Sequence, residues 1–395
     1  MNKTILHTEV QLYIEESLKR NIENLIFKGS PFENVTIQEL ANQIVAKQKS
    51  EKKLPTWFTS KNIYYPAKLS IEQTSSEITA DYKSKLVAGS SIVDITGGFG
   101  VDCFAFSKEF KEVTHCEINS ELSEIVTHNY KQLGVLNIET IASDGLEYLK
   151  STSKKFDCIY IDPSRRNDVK GKVFLLKDCL PNVPENLDFL FEKSDTILIK
   201  NSPILDITST INELKYVKEI HVVAVKNEVK ELLFLLRNNH KEKVEVKTVN
   251  IIENKYQEFI FNNSFNVNID YALPQKYLYE PNAAILKSGG FNQVATQLKV
   301  NKLHQHSHLY TSEKLIENFP GRIFKIESAF PYNKKKFKKD ITTDKANITT
   351  RNFPKTVAQI RKETKLKDGG DIYLFFSTNM NNELIVINCL KTTSE

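Results

Sequence analysis

Between residues 91 and 265, short runs of apolar and β-branched residues alternate with segments of helical periodicity. This alternation is typical of strands joined by crossover helices, which make neighbouring strands parallel. The sequence therefore predicts an α/β fold with a Rossmann-like, mostly parallel, doubly wound sheet. The predicted strands cover residues 92–95, 113–117, 138–141, 158–161, 197–200 and 221–225. They are followed by a predicted helix over residues 228–236 and a predicted hairpin over 244–251 and 259–261.

The segments on either side of this sheet have a different pattern. Residues 1–85 carry apolar side chains at helical spacing, which predicts a helical N-terminal domain. Within it, Thr36 with Glu39 and Ser70 with Gln73 have the spacing of capping boxes. After residue 265, strand-like and helical stretches mix over short distances, which predicts an α+β region.

The charged residues are distributed unevenly along the chain. The net charge of all 395 residues is +5, but residues 334–367 hold twelve basic and three acidic residues, a charge of +9. Tyr332, Phe337 and Phe353 are interleaved with them, and basic and aromatic residues together suit phosphates and bases. Such a segment suits RNA, and a solvated helix face with core aromatics is the alternative. The candidate RNA-binding residues are Lys335, Lys336, Lys338, Lys339 and Arg351.

The cysteines and the apolar runs indicate the compartment. The five cysteines are scattered and form no C-x-x-C pair, which favours a reducing environment over a disulfide framework or a zinc ribbon. The start of the chain has no apolar signal region, and the longest apolar runs are far shorter than the ~20 residues of a membrane span. We therefore expect a cytoplasmic protein.

A glycine-rich stretch, residues 94–102, follows the first predicted strand and opens a helix. Glu117 ends the next strand, where a carboxylate holds a ribose, and Asp144 follows the third. A dinucleotide requires a small residue where Cys103 stands. Three carboxylates instead suit the cationic S-adenosylmethionine (SAM), which we expect as the cofactor; a dinucleotide, or packing without a ligand, is the alternative. The candidate cofactor-binding residues are Asp94, Thr96, Gly97, Gly98, Gly100, Glu117 and Asp144.

Several motifs are similar to those of a known family: residues 72–80, 94–102, 162–166, 200–203, 279–287 and 351–354. With them the chain resembles the class I SAM-dependent methyltransferases, and more closely a bacterial group of THUMP-like methyltransferases found in Bacteroidetes. The resemblance implies a helical domain over residues 1–85 and a SAM-dependent methyltransferase domain over 86–265. It also implies a ferredoxin-like module over 266–330 and a THUMP-like basic RNA-binding module over 331–395, and this likeness is what favours RNA as the partner.

The segment before the first strand is also similar to the helix that cap guanosine methyltransferases place over SAM. This similarity implies that Gln73, Ser76, Glu77 and Thr79 line the cofactor. A capped amphipathic helix with solvated polar residues is the alternative.

The fourth strand delivers the segment Asp162-Pro163-Ser164-Arg165-Arg166 to the edge of the sheet where ligands bind. This segment resembles the D-P-P-Y motif of enzymes that methylate nucleic-acid amines, with Arg165 in the place of the aromatic residue. The resemblance implies that Asp162 and Pro163 hold the acceptor amine. We expect Arg165 and Arg166 to bind a base or a phosphate, with an ion pair to Asp162 as the alternative.

The fifth strand ends in Lys200 and Asn201 at the same edge of the sheet. We expect both residues to line the substrate pocket, with a structural role as the alternative. Enzymes that methylate uracil carbon need a cysteine just after this strand, and Ser202-Pro203 follows here instead. Direct in-line transfer is therefore favoured over a covalent route, and the likeness to the D-P-P-Y motif implies a nitrogen acceptor.

Three histidines, His304, His306 and His308, alternate along one predicted strand face. They have no acidic or cysteine partner nearby in the sequence, so no metal is expected. The leading hypothesis is a SAM-dependent methyltransferase of tRNA or rRNA. The alternatives are a methyltransferase of a small molecule or protein, and a catalytically silent RNA-binding protein that retains the fold.

Overall fold

The protein is described by a computed structural model covering residues 1–66, 68–165, 175–253, 255–262, 269–333, 341 and 343–392. Contacts divide the chain into two compact units. The first comprises Met1–Glu219 and Glu231–Glu242, and the second comprises Ile220–Lys230 and Lys243–Glu395. In the described ranges, every helix is too short or too polar to cross a membrane.

The first unit begins with helices, as predicted. Thr36 and Glu39 form the predicted capping box, since the Glu39 N–H donates to Thr36 Oγ1 (3.2 Å) and the Thr36 N–H donates to Glu39 Oε2 (2.8 Å). The second predicted box is wrong, because Ser70 lies inside a helix spanning Lys68–Gln73 and Ser76 caps the next one. After a 3₁₀ turn at Lys3–Leu6, the helices are α1 (Thr8–Ser17), α2 (Ile22–Lys28), α3 (Ile37–Lys53), α4 (Pro55–Thr59), α5 (Lys68–Gln73) and α6 (Glu77–Ser84).

Five parallel strands form the centre of the first unit, in the order β3-β2-β1-β4-β7. They are β1 (Ser91–Asp94), β2 (Glu112–Cys116), β3 (Ile138–Ile141), β4 (Cys158–Ile161) and β7 (Thr196–Asn201), and β5 (Ser164–Arg165) pairs separately with β6 (Cys179–Leu180). The helices are α7 (Val101–Phe106), α8 (Ser120–Gln132), α9 (Gly145–Ser151), α10 (Val183–Lys193) and α11 (Ile207–Glu213), with a 3₁₀ turn at Leu176–Asp178. In this order β1 lies between β2 and β4, and the carboxyl ends of these strands form the ligand edge of such a sheet.

The segment predicted as a helix over residues 228–236 is a strand, β9 (Glu228–Arg237), antiparallel to β7. Its residues from Leu232 to Leu236 are all buried. A continuous apolar run fits a strand covered on both faces, whereas a helix of this length would expose one side. Glu228 therefore begins a strand and not a helix.

The second unit contains a three-stranded ladder and a seven-stranded sheet. The ladder, β11-β10-β8, is built from β8 (Val217–Val225), β10 (Glu245–Ile252) and β11 (Lys255–Asn262), and its β10–β11 hairpin is antiparallel as predicted. The sheet has the order β13-β14-β12-β15-β18-β17-β16, with β12 (Tyr277–Pro281), β13 (Asn301–Lys302), β14 (Tyr310–Ser312), β15 (Gly321–Pro331), β16 (Asn347–Arg351), β17 (Ile372–Thr378) and β18 (Leu384–Lys391). Its helices are α12 (Ala283–Ser288), α13 (Phe291–Gln297) and α14 (Val357–Thr364).

Two apolar clusters hold this second sheet together. One contains Leu278 and Phe324, and the other contains Ile360 of α14 and Leu374. Together with the parallel sheet of the first unit and its N-terminal helices, this arrangement confirms the predicted fold class.

Candidate active site

The glycine-rich loop between β1 and α7 is organised by the Asp94 carboxylate. Asp94 Oδ1 accepts hydrogen bonds from the Thr96 N–H (2.8 Å) and the Thr96 hydroxyl (3.0 Å). Burial, and secondarily the Asp102 carboxylate, raises the pKa of Asp94 to about 7. Asp94 is thus turned towards its own loop, and its role in binding the cofactor stays a prediction.

Three glycines of this loop have different environments. A Cβ on Gly97 would lie 2.3 Å from His115 Nε2, and one on Gly100 would lie 2.1 Å from the Tyr130 hydroxyl oxygen, so packing requires glycine there. Gly98 has a φ of +57°, and the nearest atom to a Cβ would be the Thr96 carbonyl oxygen, 3.8 Å away. The backbone at Gly98 therefore has the open space that a closely approaching ligand needs.

Two of the predicted carboxylates follow the neighbouring strands β2 and β3. Glu117, directly after β2, accepts the Gly98 N–H at Oε2 (2.9 Å) and the Asn119 N–H at Oε1 (2.7 Å). Asp144 is exposed and caps α9 through Oδ1. A carboxylate oxygen can accept two hydrogen bonds, so Glu117 and Asp144 can still accept further hydrogen bonds from a ligand. The carboxylate acceptors and the open backbone at Gly98 fit a cationic cofactor that carries hydroxyl and amino groups.

Sequence reasoning missed Ile118, which follows Glu117 and is 73 % exposed. Its side chain places an apolar surface next to the carboxylate that is predicted to hold a ribose, a position suited to the face of an adenine ring. A large apolar residue immediately after an acidic strand end is the signal that was available in the sequence.

The residues expected over the cofactor from the likeness to cap methyltransferases are engaged locally. Glu77 accepts hydrogen bonds from the Thr56 N–H and hydroxyl, both at 2.7 Å. Ser76 caps α6 by accepting the Thr79 N–H (3.2 Å), Thr79 is buried, and Gln73 is exposed. These contacts are those of a capped helix, and a cofactor role for the four residues stays a prediction.

The predicted acceptor side is bonded directly to the glycine-rich loop. The Asp162 N–H, which follows β4, donates to Thr96 Oγ1 (2.7 Å), the same hydroxyl that donates to Asp94. The Asp162 carboxylate forms an ion pair with the Lys200 ammonium at the end of β7. Burial opposes the Lys200 charge, but the nearby carboxylates of Asp162, Asp102 and Glu231 outweigh it and raise the Lys200 pKa.

The other residues predicted to bind the substrate lie in different surroundings. Asn201 is buried, and its Nδ2 has no hydrogen-bond partner among the described residues. Pro163 directly follows Asp162, and the Arg165 backbone pairs with Cys179 in the β5–β6 ladder. The Arg165 side chain and all of Arg166 lie outside what the structure describes.

A buried charge network lies in the same unit, and the sequence did not reveal it. Lys83 has no exposed side-chain surface, and its ammonium contacts Glu231 Oε2 (2.7 Å) and Asp102 Oδ1 (3.1 Å). The Tyr160 hydroxyl of β4 and the Ser75 hydroxyl donate to Asp102 Oδ2, both at 2.8 Å. Burial acts to raise the Asp102 pKa, but the Lys83 and Lys200 ammoniums outweigh it and lower that pKa. The network joins α6, α7, β4 and β9.

The basic segment of the second unit is described in part. Lys335, Lys336, Lys338 and Lys339 lie outside the described residues. Arg351 ends β16, and its Nη2 donates to Glu280 Oε1 (2.9 Å).

Two of the interleaved aromatics belong to the core. The rings of Tyr332 and Phe353 pack edge to face at 5.2 Å against the apolar cluster that includes Ile360. These two aromatic rings therefore pack against the apolar core, as the alternative interpretation of the basic segment expected.

The three histidines lie in the loop between β13 and β14, so the strand face on which the sequence analysis placed them is wrong. His304 Nδ1 accepts the His306 N–H (3.1 Å), so in the neutral ring Nε2 carries the proton and donates to Asn382 Oδ1 (3.0 Å). In the part of the chain that is described, no group of three or more His, Cys, Asp or Glu side chains is arranged around a metal position.

Known protein families match each of the two units separately. Residues 43–219 match a family described as conserved hypothetical protein 95, residues 277–320 match a ferredoxin-like domain, and residues 321–391 match a THUMP domain-like family. A crystal structure from Porphyromonas gingivalis W83, described as a candidate methyltransferase, is 31 % identical, covers 99 % of both chains and superposes with a TM-score of 0.89.

A curated relative covers less of the chain. Ribosomal RNA small subunit methyltransferase D of Buchnera aphidicola subsp. Acyrthosiphon pisum (strain APS) is 28 % identical over 128 residues, which are 31 % of this chain. The match spans 66 % of the length of that relative.

Proposed function

Because the chain belongs to the family of SAM-dependent methyltransferases that includes the Porphyromonas gingivalis protein, we propose that it methylates a nitrogen of an RNA base. The cofactor is SAM. The RNA substrate, a tRNA or an rRNA, is supported by the name of the Buchnera relative and by the THUMP domain-like match.

One observation carries the proposed reaction: the Thr96 hydroxyl joins the loop proposed to hold the cofactor to the segment proposed to hold the acceptor. It donates to Asp94 and accepts the Asp162 N–H. The Asp162 carboxylate is therefore held at a fixed position next to the glycine-rich loop. Alignment of the reacting groups is the main requirement of an in-line displacement.

The residues around the cofactor have separate roles in this proposal. Glu117 accepts the ribose hydroxyls, Asp144 accepts the adenine amine, and Ile118 covers the adenine face. Gly98 lets the ligand lie against the backbone, because the space beside it is open. The bound cofactor supplies a methyl carbon attached to a positively charged sulfur, which is a good leaving group.

Asp162 and Lys200 act on the acceptor. One oxygen of the Asp162 carboxylate is paired with Lys200, which fixes the orientation of the carboxylate. The other oxygen accepts a hydrogen bond from the acceptor N–H and so directs the nitrogen lone pair at the methyl carbon. The proton leaves the nitrogen towards Asp162 as the new C–N bond forms.

The test uses methyl-labelled SAM and total RNA from a strain lacking the gene, followed by digestion and identification of the labelled nucleoside. The proposal expects label in a base nitrogen. Label only in protein or in a small-molecule fraction would refute an RNA substrate, and label on carbon or on ribose would refute the nitrogen acceptor.

Asp162→Ala tests the carboxylate separately from the fold. The variant retains the backbone N–H that bonds Thr96, so SAM affinity should remain near that of the wild type. Transfer should fall by about 100-fold or more, the lower range of a general acid–base contribution. Asp188→Ala removes an exposed carboxylate of the same unit and is the matched control.

A further inference from the structure

Lys200 has a carboxylate on each of the two strands beside it. In the sheet, β7 lies between β4 and β9. On the β4 side, the Asp162 carboxylate forms an ion pair with the Lys200 ammonium. On the β9 side, Leu233 is directly opposite Lys200, so Glu231, two residues before Leu233, lies on the same face of the sheet as a diagonal neighbour. A long side chain such as lysine reaches a diagonal neighbour, so Lys200 is flanked by Asp162 and Glu231.

Glu231 is a buried carboxylate that its pair with Lys83 does not fully satisfy. Glu231 is 2 % exposed, and its Oε2 contacts the Lys83 ammonium at 2.7 Å. Its other oxygen, Oε1, is buried and has no hydrogen-bond partner among the described residues. The Lys83 ammonium is shared, because it also contacts Asp102 Oδ1 at 3.1 Å. An unpaired buried carboxylate oxygen is costly, so part of the Glu231 charge remains for a second cation.

The same face of the sheet also carries the anchor of Asp102. Tyr160 of β4 lies two residues before Asp162, and its register with β7 puts its side chain on the face that carries Lys200. The Tyr160 hydroxyl donates to Asp102 Oδ2 at 2.8 Å, which fixes Asp102 on this side of the sheet. Burial opposes the charge of the lysine, but the carboxylates of Asp162, Asp102 and Glu231 outweigh burial and raise the lysine pKa.

The charged side chains of this face do not balance one another. Three carboxylates and two ammoniums leave a surplus of one negative charge, and these groups are Asp162, Asp102, Glu231, Lys83 and Lys200. Asp94 of β1 is outside this set, because its carboxylate bonds Thr96 of its own loop. In the proposed reaction Asp162 takes up the acceptor proton, which neutralises the surplus. Without the Glu231 charge, the same proton would leave a buried surplus of positive charge, which is costly.

We propose that Glu231 is a positioning residue for methyl transfer, which holds the Lys200 ammonium in place while Asp162 gains and loses the acceptor proton. As the C–N bond forms and the C–S bond breaks, the C–S electron pair stays on sulfur and the proton moves from nitrogen to Asp162. The proton then passes to water, since the Asp162 side chain is 35 % exposed. During this step Glu231 keeps the buried ammonium compensated. The role in transfer rests on the proposed function, whereas the placement of Glu231 rests on contacts and strand register.

Glu231→Gln tests this role, because it removes the charge and keeps the shape of the side chain. The test uses methyl-labelled SAM, RNA from a strain lacking the gene, and an excess of enzyme at pH 8. The rate of transfer should fall about 10- to 100-fold, as expected when a reacting group is slightly displaced. SAM affinity and the melting temperature should stay near those of the wild type, because Lys83 retains Asp102. Glu228→Gln changes an exposed glutamate of the same strand, is the matched control, and should alter none of the three readouts.

A double-variant cycle tests whether Glu231 acts through Lys200. Lys200→Met should slow transfer by itself, and adding Glu231→Gln to it should cause no further loss, since the two changes affect one interaction. Glu231→Asp retains the charge on a shorter side chain and should transfer methyl groups faster than Glu231→Gln.

Every other outcome decides against the proposal. Normal transfer by Glu231→Gln, in a wild type that labels RNA, would overturn this inference and leave the proposed function standing. An equal loss with and without Lys200, a Glu231→Asp variant as slow as Glu231→Gln, or a Glu231→Gln protein that does not fold would make Glu231 a structural residue. A wild type that labels no RNA would overturn the proposed function, and this role with it.

Discussion

Replacing Lys83 by methionine isolates the buried charge network next to the proposed active site. The change removes an ammonium that lies 2.7 Å from Glu231 Oε2 and 3.1 Å from Asp102 Oδ1, and that donates to Ser75 Oγ at 3.0 Å. Methionine fills a similar volume, so the loss of packing is small. Breaking a buried pair from one side costs about 3–5 kcal/mol, and we expect a loss of that size at pH 8.

The loss should shrink as the pH falls. Burial already raises the pKa of Glu231 despite Lys83, and without Lys83 it rises further. A carboxyl with a raised pKa binds more protons in the folded than in the unfolded state, so stability falls as pH rises between the two values. The cost of Lys83→Met should therefore decrease towards pH 5, by up to about 1.4 kcal/mol per pH unit.

Urea unfolding monitored by tryptophan fluorescence measures this cost. The chain has one tryptophan, Trp57, which is fully buried in the first unit and reports on its unfolding. Lys85→Met removes an exposed, paired lysine from the same helix end and should cost at most about 0.5 kcal/mol. The double variant Lys83→Met with Glu231→Gln should recover part of the loss, because one uncompensated charge is neutralised.

Two results would refute this reasoning. One is a Lys83→Met loss at pH 8 equal to that of Lys85→Met, which would mean that the ammonium is not buried against the carboxylates. The other is a loss of the same size at pH 5 and pH 8, which would mean that no carboxylate takes up a proton when Lys83 is absent.

Two further predictions concern the cofactor edge. Because the folded pKa of Asp94 is raised to about 7, its ionisation lowers stability as pH rises from about 4 to 7. The Asp94→Asn variant should therefore gain stability relative to the wild type over this window, by up to roughly 4 kcal/mol. Urea unfolding at pH 5 and 7.5 that shows a constant difference between the two proteins would contradict this prediction. Glu117→Gln should weaken SAM binding by about 10- to 100-fold in calorimetry, the loss expected for charge-assisted hydrogen bonds. The control is Glu147→Gln, which changes an exposed glutamate on α9 and should bind SAM normally. Equal affinities of the two variants would exclude Glu117 from the ribose site.

The sequence was most informative where the interactions are local. The Thr36–Glu39 capping box needs residues three positions apart, and the structure contains it. The parallel strands were predicted from short apolar runs with intervening helical patterns, and strand order then placed Asp94, Glu117 and Asp162 at one edge. These features depend on the spacing of neighbouring residues in the chain.

The failures arise where tertiary contacts override local preference. Leucine, glutamate and lysine favour helices, so residues 228–236 were predicted as one, but burial of Leu232 to Leu236 on both faces stabilises a strand. The Lys83–Glu231 contact joins residues 148 positions apart, and no local pattern marks it.

The hydroxyl of Thr96 links the proposed binding sites of the two substrates. Since it joins Asp94 to the Asp162 backbone, a methyl donor that shifts the glycine-rich loop should also shift Asp162, the residue proposed to bind the acceptor. Thermodynamic reciprocity then requires that the acceptor change the affinity for the donor by the same factor. A single threonine side chain is thus expected to couple the affinities for the two substrates. In Thr96→Val both sites should remain, but the affinity for one substrate should no longer depend on the other.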